Sequence, residues 1–170
     1  MEAYYNSPIG LIKITGTAEY VSSILFADTE TELAQEEHLA FSQRSLSQPI
    51  LTCIRQLADY FEGKRTVFDF PMKQEGTAFQ QLVWSELRNI PFGERISYLE
   101  LSKRIGNIKA VRAVGKANGL NLLSIVVPCH RVVGNNNKLI GYSGGLERKR
   151  KLLIHEENYS AAKGKLLLLF

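Results

Sequence analysis

The chain has 170 residues, 45% of them hydrophobic, which is enough for one packed domain or two small ones. No apolar stretch approaches the ~20 residues that cross a bilayer, and the first residues lack the basic and then apolar order of a signal peptide. The two cysteines are widely spaced, which predicts a cytoplasmic protein with reduced thiols. The three histidines lack metal-ligand spacing, and neither a metal nor another cofactor is expected.

Charge is distributed unevenly along the chain. Residues 1–70 carry 5 Lys and Arg against 10 Asp and Glu, whereas residues 71–170 carry 16 against 7. A basic half of this kind favours a polyanionic partner, because binding to nucleic acid neutralises phosphates and releases counterions. A solvated surface with scattered lysines would give the same balance, so charge alone does not identify the partner.

The first half of the chain is predicted to be rich in strands. Two strands are expected at residues 11–15 and 20–26, after a turn at residues 6–10. A further strand is expected at residues 66–70, where Pro71 would end it.

One helix is predicted in the same half. It begins at Pro49, a favoured first-turn residue, and stops before Gly63. Cys53 follows Ile50 by three residues on the apolar face, which indicates a core residue and not a reactive one. Residues 30–38 are expected to form a polar connector or a surface helix.

The second half is predicted to begin with two capped helices. Thr77 and Gln80 form a capping box, in which a hydroxyl and an amide reciprocally satisfy free backbone N–H groups. Ser97 and Glu100 are spaced for a second box at the start of the next helix.

A helix-turn-helix is predicted where a tight turn joins that second helix to another at residues 110–118. Small residues on one side of the last helix would allow close approach to a duplex, and cations beside them would contact phosphates. These residues are Ala110, Ala113, Ala117, Lys109, Arg112 and Lys116. Many helical hairpins bind nothing, so a purely structural hairpin is the alternative.

Residues 128–133 place a thiol next to an imidazole. Cys129 and His130 follow the apolar run 125–127, which is predicted to be a buried strand. A free thiol with a pKa of ~8.5 is only a few per cent ionised at neutral pH, so an adjacent base would activate it as a nucleophile. Taken alone, a cysteine at the end of a strand is more often an inert core residue.

A glycine-rich loop at residues 141–145 precedes the basic run 148–151. The loop lacks the residue order of a phosphate-binding loop, and its glycines would form a turn or let backbone N–H groups approach a planar ligand. The apolar ending, residues 165–170, is too short to span a membrane and is expected to be packed or frayed.

Residues 79–156 resemble the C-terminal domain of the O6-alkylguanine-DNA alkyltransferases, also called methylated-DNA–protein-cysteine methyltransferases. Six motifs occur in the family's order: Ile96-Ser97-Tyr98, Arg112-Ala113-Val114-Gly115, Asn121, Pro128 to Val133, Gly141-Tyr142-Ser143-Gly144-Gly145 and Leu152-Leu153-Ile154-His155-Glu156.

The resemblance implies an α/β (α+β) fold with two domains. A strand-rich N-terminal domain would cover residues 1–73. A mostly helical C-terminal domain, with a helix-turn-helix and a short active-site strand, would cover residues 74–160, and residues 161–170 would form a tail.

The resemblance also implies one covalent step. Cys129 would attack the alkyl carbon on guanine O6 in an in-line displacement, and His130 would take the thiol proton through a water. Glu156 would orient and charge-balance that imidazole. Tyr98 would donate to guanine N3, and Asn121 would brace the turn between the recognition helix and the active-site strand. The pocket would be lined by Val132, Tyr142, Ser143 and Lys149, with a loop N–H stabilising charge on O6.

By the same resemblance the target nucleotide would be flipped out of double-stranded DNA, which is approached from the minor groove. Arg112 would fill the vacated space, and Tyr98, Lys109, Ala113 and Lys116 would contact the DNA. The thioether product has no evident hydrolytic route, so each molecule, expected to be a monomer, would react once. Cooperative binding along DNA, activity on O4-alkylthymine and the range of alkyl groups are left open.

The sequence departs from the family where Leu122 and Ser124 stand at positions that can hold proline, which implies a looser hinge or a changed pocket breadth. The zinc-ligand cysteines of some animal members are missing, as in a bacterial-type or archaeal-type member. Two alternatives are a non-catalytic binder of alkyl lesions, which would lack Cys129, and a cysteine hydrolase, which would turn over.

Overall fold

The computed structural model describes residues 1–27 and 46–167, with side chains up to residue 160. The chain divides into two compact units, Met1–Gln74 and Glu75–Phe170. The segment 30–38, expected to be a connector or a surface helix, lies outside the described residues, and so do the last three residues of the expected tail. In the parts of the chain that are described, none of the helices combines the length and the apolar character needed to span a membrane.

A three-stranded antiparallel sheet forms the first unit, with β1 (Glu2–Ser7), β2 (Gly10–Gly16) and β3 (Val21–Phe26) in that order. The two strands expected at residues 11–15 and 20–26 are therefore confirmed as β2 and β3. Strand β1 is not predicted from the sequence, because the residues of β1 do not alternate between apolar and polar types.

Helix α1 (Gln48–Phe61) belongs to the same unit and agrees with the helix predicted from Pro49. Its inward face buries Ile50, Cys53 and Leu57 completely. Burial raises the pKa of the Cys53 thiol to about 12, so this cysteine is an unreactive core residue, as expected.

The prediction of a strand at residues 66–70 is wrong. The Gln56 side chain accepts a hydrogen bond from the Asp69 backbone N–H at 3.1 Å, and this contact holds the segment in an irregular path. Pairing with β3 occurs only beyond it, where the Val21 N–H donates to the Pro71 carbonyl at 3.0 Å. Proline has no N–H to donate, so no regular ladder forms at that point.

The second unit begins with α2 (Ala78–Leu87), and the capping box predicted at its start is confirmed. Helix α3 (Tyr98–Arg104) follows β4 (Ile96–Ser97). The second predicted box is only half formed. The Ser97 hydroxyl accepts from the Glu100 N–H at 3.0 Å, while the Glu100 carboxylate pairs with Arg104 at 3.3 Å.

Helix α4 (Val111–Gly119) follows α3 through a 3-10 turn at Ile108–Ala110, so the predicted helix pair is present. The strand β5 (Val132–Val133) pairs in parallel with β4, and α5 (Leu146–Leu167) includes most of the expected tail. The apolar core of this unit consists of Val83, Leu87, Leu101, Val114, Leu123, Val127, Val132 and Leu152.

Candidate functional site

The segment between α4 and β5 is a sequence of tight turns, not the strand that was predicted at residues 125–127. The Asn121 amide directs the chain. Its oxygen accepts from the Leu123 N–H at 3.0 Å, and its nitrogen donates to the Val127 carbonyl at 2.8 Å. Ile125 at the bend has a φ of 72°, which a β-branched residue rarely adopts. The side-chain hydrogen bonds of Asn121 therefore override the strand preference of the apolar run.

These turns deliver Cys129 to the start of a 3-10 turn, Cys129–Arg131, directly before β5. The residue is only 1% exposed. Its sulfur accepts a hydrogen bond from the Asn121 amide at 3.2 Å, and its carbonyl accepts one from Asn118 at 3.4 Å. The thiol and the carbonyl of Cys129 are thus held by two asparagines, one in the last turn of α4 and one just after that helix.

Burial raises the pKa of Cys129, while the Asn121 hydrogen bond and the positive charge of Lys149 lower it in part. Because burial dominates, the resting group is a neutral thiol at neutral pH. A nucleophilic sulfur therefore requires a nearby acceptor for its proton.

His130 is such an acceptor. Its Nε2 lies 2.8 Å from Glu156 Oε1, and the side chain is fully buried. An ionised carboxylate only accepts hydrogen bonds, so Nε2 carries the hydrogen and Nδ1 keeps its lone pair. Nδ1 is buried and has no partner in the described part of the chain. Burial lowers the pKa of His130 and the Glu156 charge opposes this effect, so the imidazole is a neutral base at neutral pH.

Glu156 is the most heavily bonded group of the site. It accepts from Arg131 Nε and Nη2, each at 2.9 Å, and from the Gly93 N–H at 3.1 Å, in addition to His130. Burial by itself would raise the pKa of Glu156, but the attraction of His130 and Arg131 holds it well below its usual range. The carboxylate therefore stays ionised.

Arg131 was not singled out from the sequence. Besides Glu156 it donates to the Ile90 carbonyl at 2.6 Å, and its side chain is 6% exposed. The available signal was a charged residue inside the apolar stretch 125–133, which predicts a buried partner of opposite charge.

A cavity of about 590 Å³ opens beside α3 and α4. It is lined by Tyr98 and Arg112, together with Gly115, Gly134, Ile140 and Gly141. The Tyr98 hydroxyl faces the Ile140 and Gly141 carbonyls, each at 3.4 Å. A Cβ at Gly141 would lie 3.2 Å from that hydroxyl, so a larger residue would crowd it.

The four residues expected to line the pocket do not line this cavity. Val132 is fully buried in β5, and Ser143 is exposed. The Tyr142 hydroxyl is buried, and burial together with the charge of an ionised Cys129 raises the pKa of this tyrosine. The Tyr142 and Ser124 hydroxyls do not form a hydrogen bond with each other, and neither has a hydrogen-bond partner among the described residues.

Lys149 differs most from its expected position. It is expected to line the pocket, yet it is 0% exposed and does not line this cavity. Its ammonium group donates to the Val132, Ile140 and Gly141 carbonyls at 2.6, 2.7 and 3.1 Å. The neighbouring Arg150 pairs at the surface with Glu147 at 2.7 Å.

The cations predicted to face a duplex lie on the helix pair. Lys109, Arg112, Ala113 and Lys116 are all exposed, and Arg112 also borders the cavity. The prediction that small residues form an exposed stripe is wrong for Ala117. This residue is 2% exposed, and its carbonyl accepts a hydrogen bond from the Trp84 indole at 2.9 Å. The close-approach surface is therefore limited to the first turns of α4.

No cluster of three or more metal-ligand residues, counting His, Cys, Asp and Glu, occurs within residues 1–27 and 46–160.

Both units match models of known families. Residues 78–158 match the DNA binding domain of 6-O-methylguanine DNA methyltransferase, and residues 1–74 match the ribonuclease-like domain of the same protein.

Curated proteins named methylated-DNA–protein-cysteine methyltransferase are similar over most of their length. One from Mycolicibacterium paratuberculosis is 41% identical over 161 residues, which is 92% of each chain. The constitutive one from Bacillus subtilis is 38% identical over 160 residues, 92% of this chain and 96% of that one. Among solved structures, Mycobacterium tuberculosis OGT in complex with DNA is 38% identical with a TM-score of 0.78, and covers 92% of both chains.

Proposed function

The chain belongs to the 6-O-methylguanine DNA methyltransferase family, and from this membership we propose that Cys129 is its alkyl acceptor. The protein is a methylated-DNA–protein-cysteine methyltransferase that acts in DNA repair by direct reversal of damage. It moves the alkyl group from O6 of guanine in DNA to its own cysteine, and each molecule reacts once.

The assignment of Cys129 rests on one observation. Its buried sulfur is held by Asn121 at 3.2 Å, and the next residue, His130, is a neutral base bonded to an ionised carboxylate. Burial raises the pKa of Cys53, the other cysteine, to about 12. A thiol with a positioned base to accept its proton is what nucleophilic transfer requires.

In the proposed step the thiol proton passes to His130 Nδ1 through a water. The sulfur then forms a bond to the alkyl carbon while the bond from that carbon to O6 breaks, and guanine leaves with the electron pair. The Tyr98 hydroxyl donates to N3 of the leaving base and spreads the negative charge. Glu156 stabilises the imidazolium, as the carboxylate of a catalytic triad does.

DNA binding is proposed for the exposed side of α3 and α4. The target atom is inaccessible in a stacked duplex, so the nucleotide is extruded at a cost of a few kcal/mol. Arg112 is exposed at the edge of the 590 Å³ cavity and fills the space in the stack. Lys109, Lys116 and the small Ala113 lie beside it on the surface that meets the minor groove.

We propose two domains, residues 1–73 and residues 74–160, with the alkyl transfer confined to the second.

We also propose a cytoplasmic location, where free thiols persist. Both cysteines are free in the structure.

The test uses duplex DNA that carries O6-methylguanine and intact-mass spectrometry of the protein. A gain of about 14 Da confined to Cys129, with one equivalent transferred, is expected. Cys129→Ala should not react, and the matched variant Cys53→Ala should react fully. Release of methyl groups beyond one equivalent would indicate a hydrolase, and binding without any mass change would indicate a lesion binder.

A further inference from the structure

Asn118 is a buried polar side chain that the proposed step does not use. It lies in the last turn of α4 and is 2% exposed. Its Nδ2 donates to the Cys129 carbonyl at 3.4 Å and to the Tyr98 hydroxyl at 3.5 Å. Its Oδ1 is buried and has no hydrogen-bond partner within the described part of the chain. An unpaired buried acceptor costs stability, so packing alone would favour an apolar residue at this position.

The Cys129 carbonyl fixes the orientation of the Asn118 amide. A carbonyl oxygen only accepts hydrogen bonds, so the amide atom that faces it must be the nitrogen. The same nitrogen has a second hydrogen, which is available to the Tyr98 oxygen. In this contact Tyr98 is therefore the acceptor. Hydrogen bonds of catalytic groups are often long before substrate binds, and they shorten in the complex.

This contact determines where Tyr98 can direct its own hydrogen. A phenol has one hydrogen to donate and lone pairs that accept. Because Asn118 occupies a lone pair, the Tyr98 hydrogen is left for the wall of the cavity, where the Ile140 and Gly141 carbonyls lie at 3.4 Å. In the proposed transfer the same hydrogen is donated to N3 of the leaving base. A hydrogen bond that an oxygen accepts also polarises it and strengthens its own donor hydrogen.

The environment of Tyr98 makes this support useful. Burial and the charge of an ionised Cys129 raise the pKa of Tyr98, which weakens the hydroxyl as a donor, whereas the hydrogen bond from Asn118 lowers that pKa.

Helix α4 also packs against the Tyr98 ring. A Cβ at Gly115 would lie 3.8 Å from two carbons of that ring. Asn118 follows Gly115 by three residues and therefore lies on the same face of the helix. One face of α4 thus contacts both the ring and the hydroxyl of Tyr98.

We propose that Asn118 is a positioning residue for alkyl transfer: anchored on the Cys129 carbonyl, it donates to the Tyr98 oxygen and so commits the Tyr98 hydrogen to the leaving base. The amide then connects the residue that forms the new bond with the residue that assists the bond that breaks. This inference rests on the proposed roles of Cys129 and Tyr98.

The test is a double-mutant cycle in single-turnover reactions at saturating duplex DNA that carries O6-methylguanine. Asn118→Leu keeps a branched side chain and removes its hydrogen bonds, so transfer should slow about 3–10-fold, as the loss of one neutral hydrogen bond implies. In Tyr98→Phe the acceptor oxygen is absent, and adding Asn118→Leu there should cost less than about 2-fold. The control is Asn89→Leu, which should react at the wild-type rate. Asn89 is exposed and pairs with Glu86 at 3.1 Å on the surface.

The cycle distinguishes a role through Tyr98 from a structural one. An equal loss in both backgrounds would mean that Asn118 only supports the fold around Cys129, and the proposal would be overturned. Urea denaturation of each variant separates a loss of folded protein from a loss of rate.

A second measurement needs neither DNA nor the Asn118→Leu variant. NMR of ¹⁵N-labelled protein observes the two side-chain amide protons of Asn118. In Tyr98→Phe, which keeps the ring, the proton that faced the hydroxyl loses its acceptor and should shift upfield, while the proton on the Cys129 carbonyl should keep its shift. Unchanged shifts for both protons would overturn the proposal. A wild-type protein that transfers no methyl group would contradict the proposed function, and these shifts would still decide the Asn118 contact.

Discussion

Replacing Glu156 by Gln tests the centre of the site with almost no change in side-chain volume. Glu156 is 1% exposed and accepts hydrogen bonds from His130, Arg131 and Gly93. Glutamine removes the negative charge and leaves the Arg131 guanidinium, 6% exposed, without an anion. Breaking a buried ion pair in this way costs about 3–5 kcal/mol.

For a chain of this length each kcal/mol corresponds to roughly 2–4 °C in Tm, so the variant should melt roughly 6–20 °C lower. Urea denaturation gives the free energy of unfolding directly. Glu157→Gln is the matched control. Glu157 pairs with Arg95 at 2.9 Å on the surface and is 64% exposed, so its loss should cost less than about 1 kcal/mol.

The same substitution should slow alkyl transfer. The Glu156 charge is the main effect that raises the pKa of His130 against burial, so its removal makes the imidazole a weaker base. General base catalysis contributes roughly 10²–10⁴-fold, and a loss within this range is expected in single-turnover reactions with O6-methylguanine duplex. DNA affinity should hardly change, because the residue is buried.

The dependence of stability on pH gives an independent check. The folded pKa of Glu156 lies well below its unfolded value of about 4.3, so its stabilising contribution is present above that pH and is lost as the pH falls further. The folded pKa of His130 is also lowered, and its neutral burial costs stability as the pH falls through about 6.5. The Glu156→Gln variant should therefore lack the drop in stability that Glu156 causes in acid, and it should keep the drop that His130 causes.

A Glu156→Gln protein that stays within about 1 kcal/mol of the wild type and transfers methyl at the wild-type rate would refute the role assigned to Glu156. A large loss of DNA affinity at a normal rate would equally contradict the assigned position of Glu156 behind the imidazole.

Two further variants test the DNA surface and the support of the carboxylate. Arg112→Ala should slow repair of paired duplex about 10-fold or more beyond any effect on the free base O6-benzylguanine, because it acts on base flipping; equal losses in both assays would remove that role. Gly93→Ala places a Cβ 2.6 Å from Ser160 Oγ at a φ of +82°, so denaturation should show a loss of about 1–3 kcal/mol. Gly119→Ala, with nothing within 4 Å of its Cβ, should show no such loss.

The elements predicted well from sequence are those whose signals are local. The hydroxyl of Thr77 and the amide of Gln80 lie three residues apart, and the cap that they predict forms as expected. Pro49 marks the start of α1 for the same reason. Where a second partner competes, the local rule fails in part, since Glu100 pairs with Arg104 and not with the cap.

The turn that carries the nucleophile has no such local signal. The apolar run 125–127 has strand composition, and only the hydrogen bonds from Asn121 force Ile125 to a φ of 72°. The sequence identified Asn121 through its family motif, but neither composition nor spacing indicates which backbone groups its amide contacts. Tertiary hydrogen bonds decide the conformation here.

Buried charges could not be located from spacing either. Arg131 lies inside a family motif and Lys149 inside the basic run 148–151. The sequence does not display the carboxylate 25 residues from Arg131 or the three carbonyls that hold Lys149. A charged side chain costs several kcal/mol to bury alone, so each needs a built environment. Only the folded unit reveals those environments.

In the proposed transfer, the buried Glu156–Arg131 ion pair behind His130 explains how a sheltered thiol can still react. Glu156 neutralises Arg131, so the carboxylate is held rigidly next to His130, while burial keeps that imidazole neutral and Nδ1 has no protein partner among the described residues. Lys149 is held instead by hydrogen bonds to three backbone carbonyls. Burial suppresses ionisation of Cys129 at rest, which protects a residue that can be used once. In the proposed transfer, proton acceptance by His130 then frees the sulfur to attack when a substrate is bound.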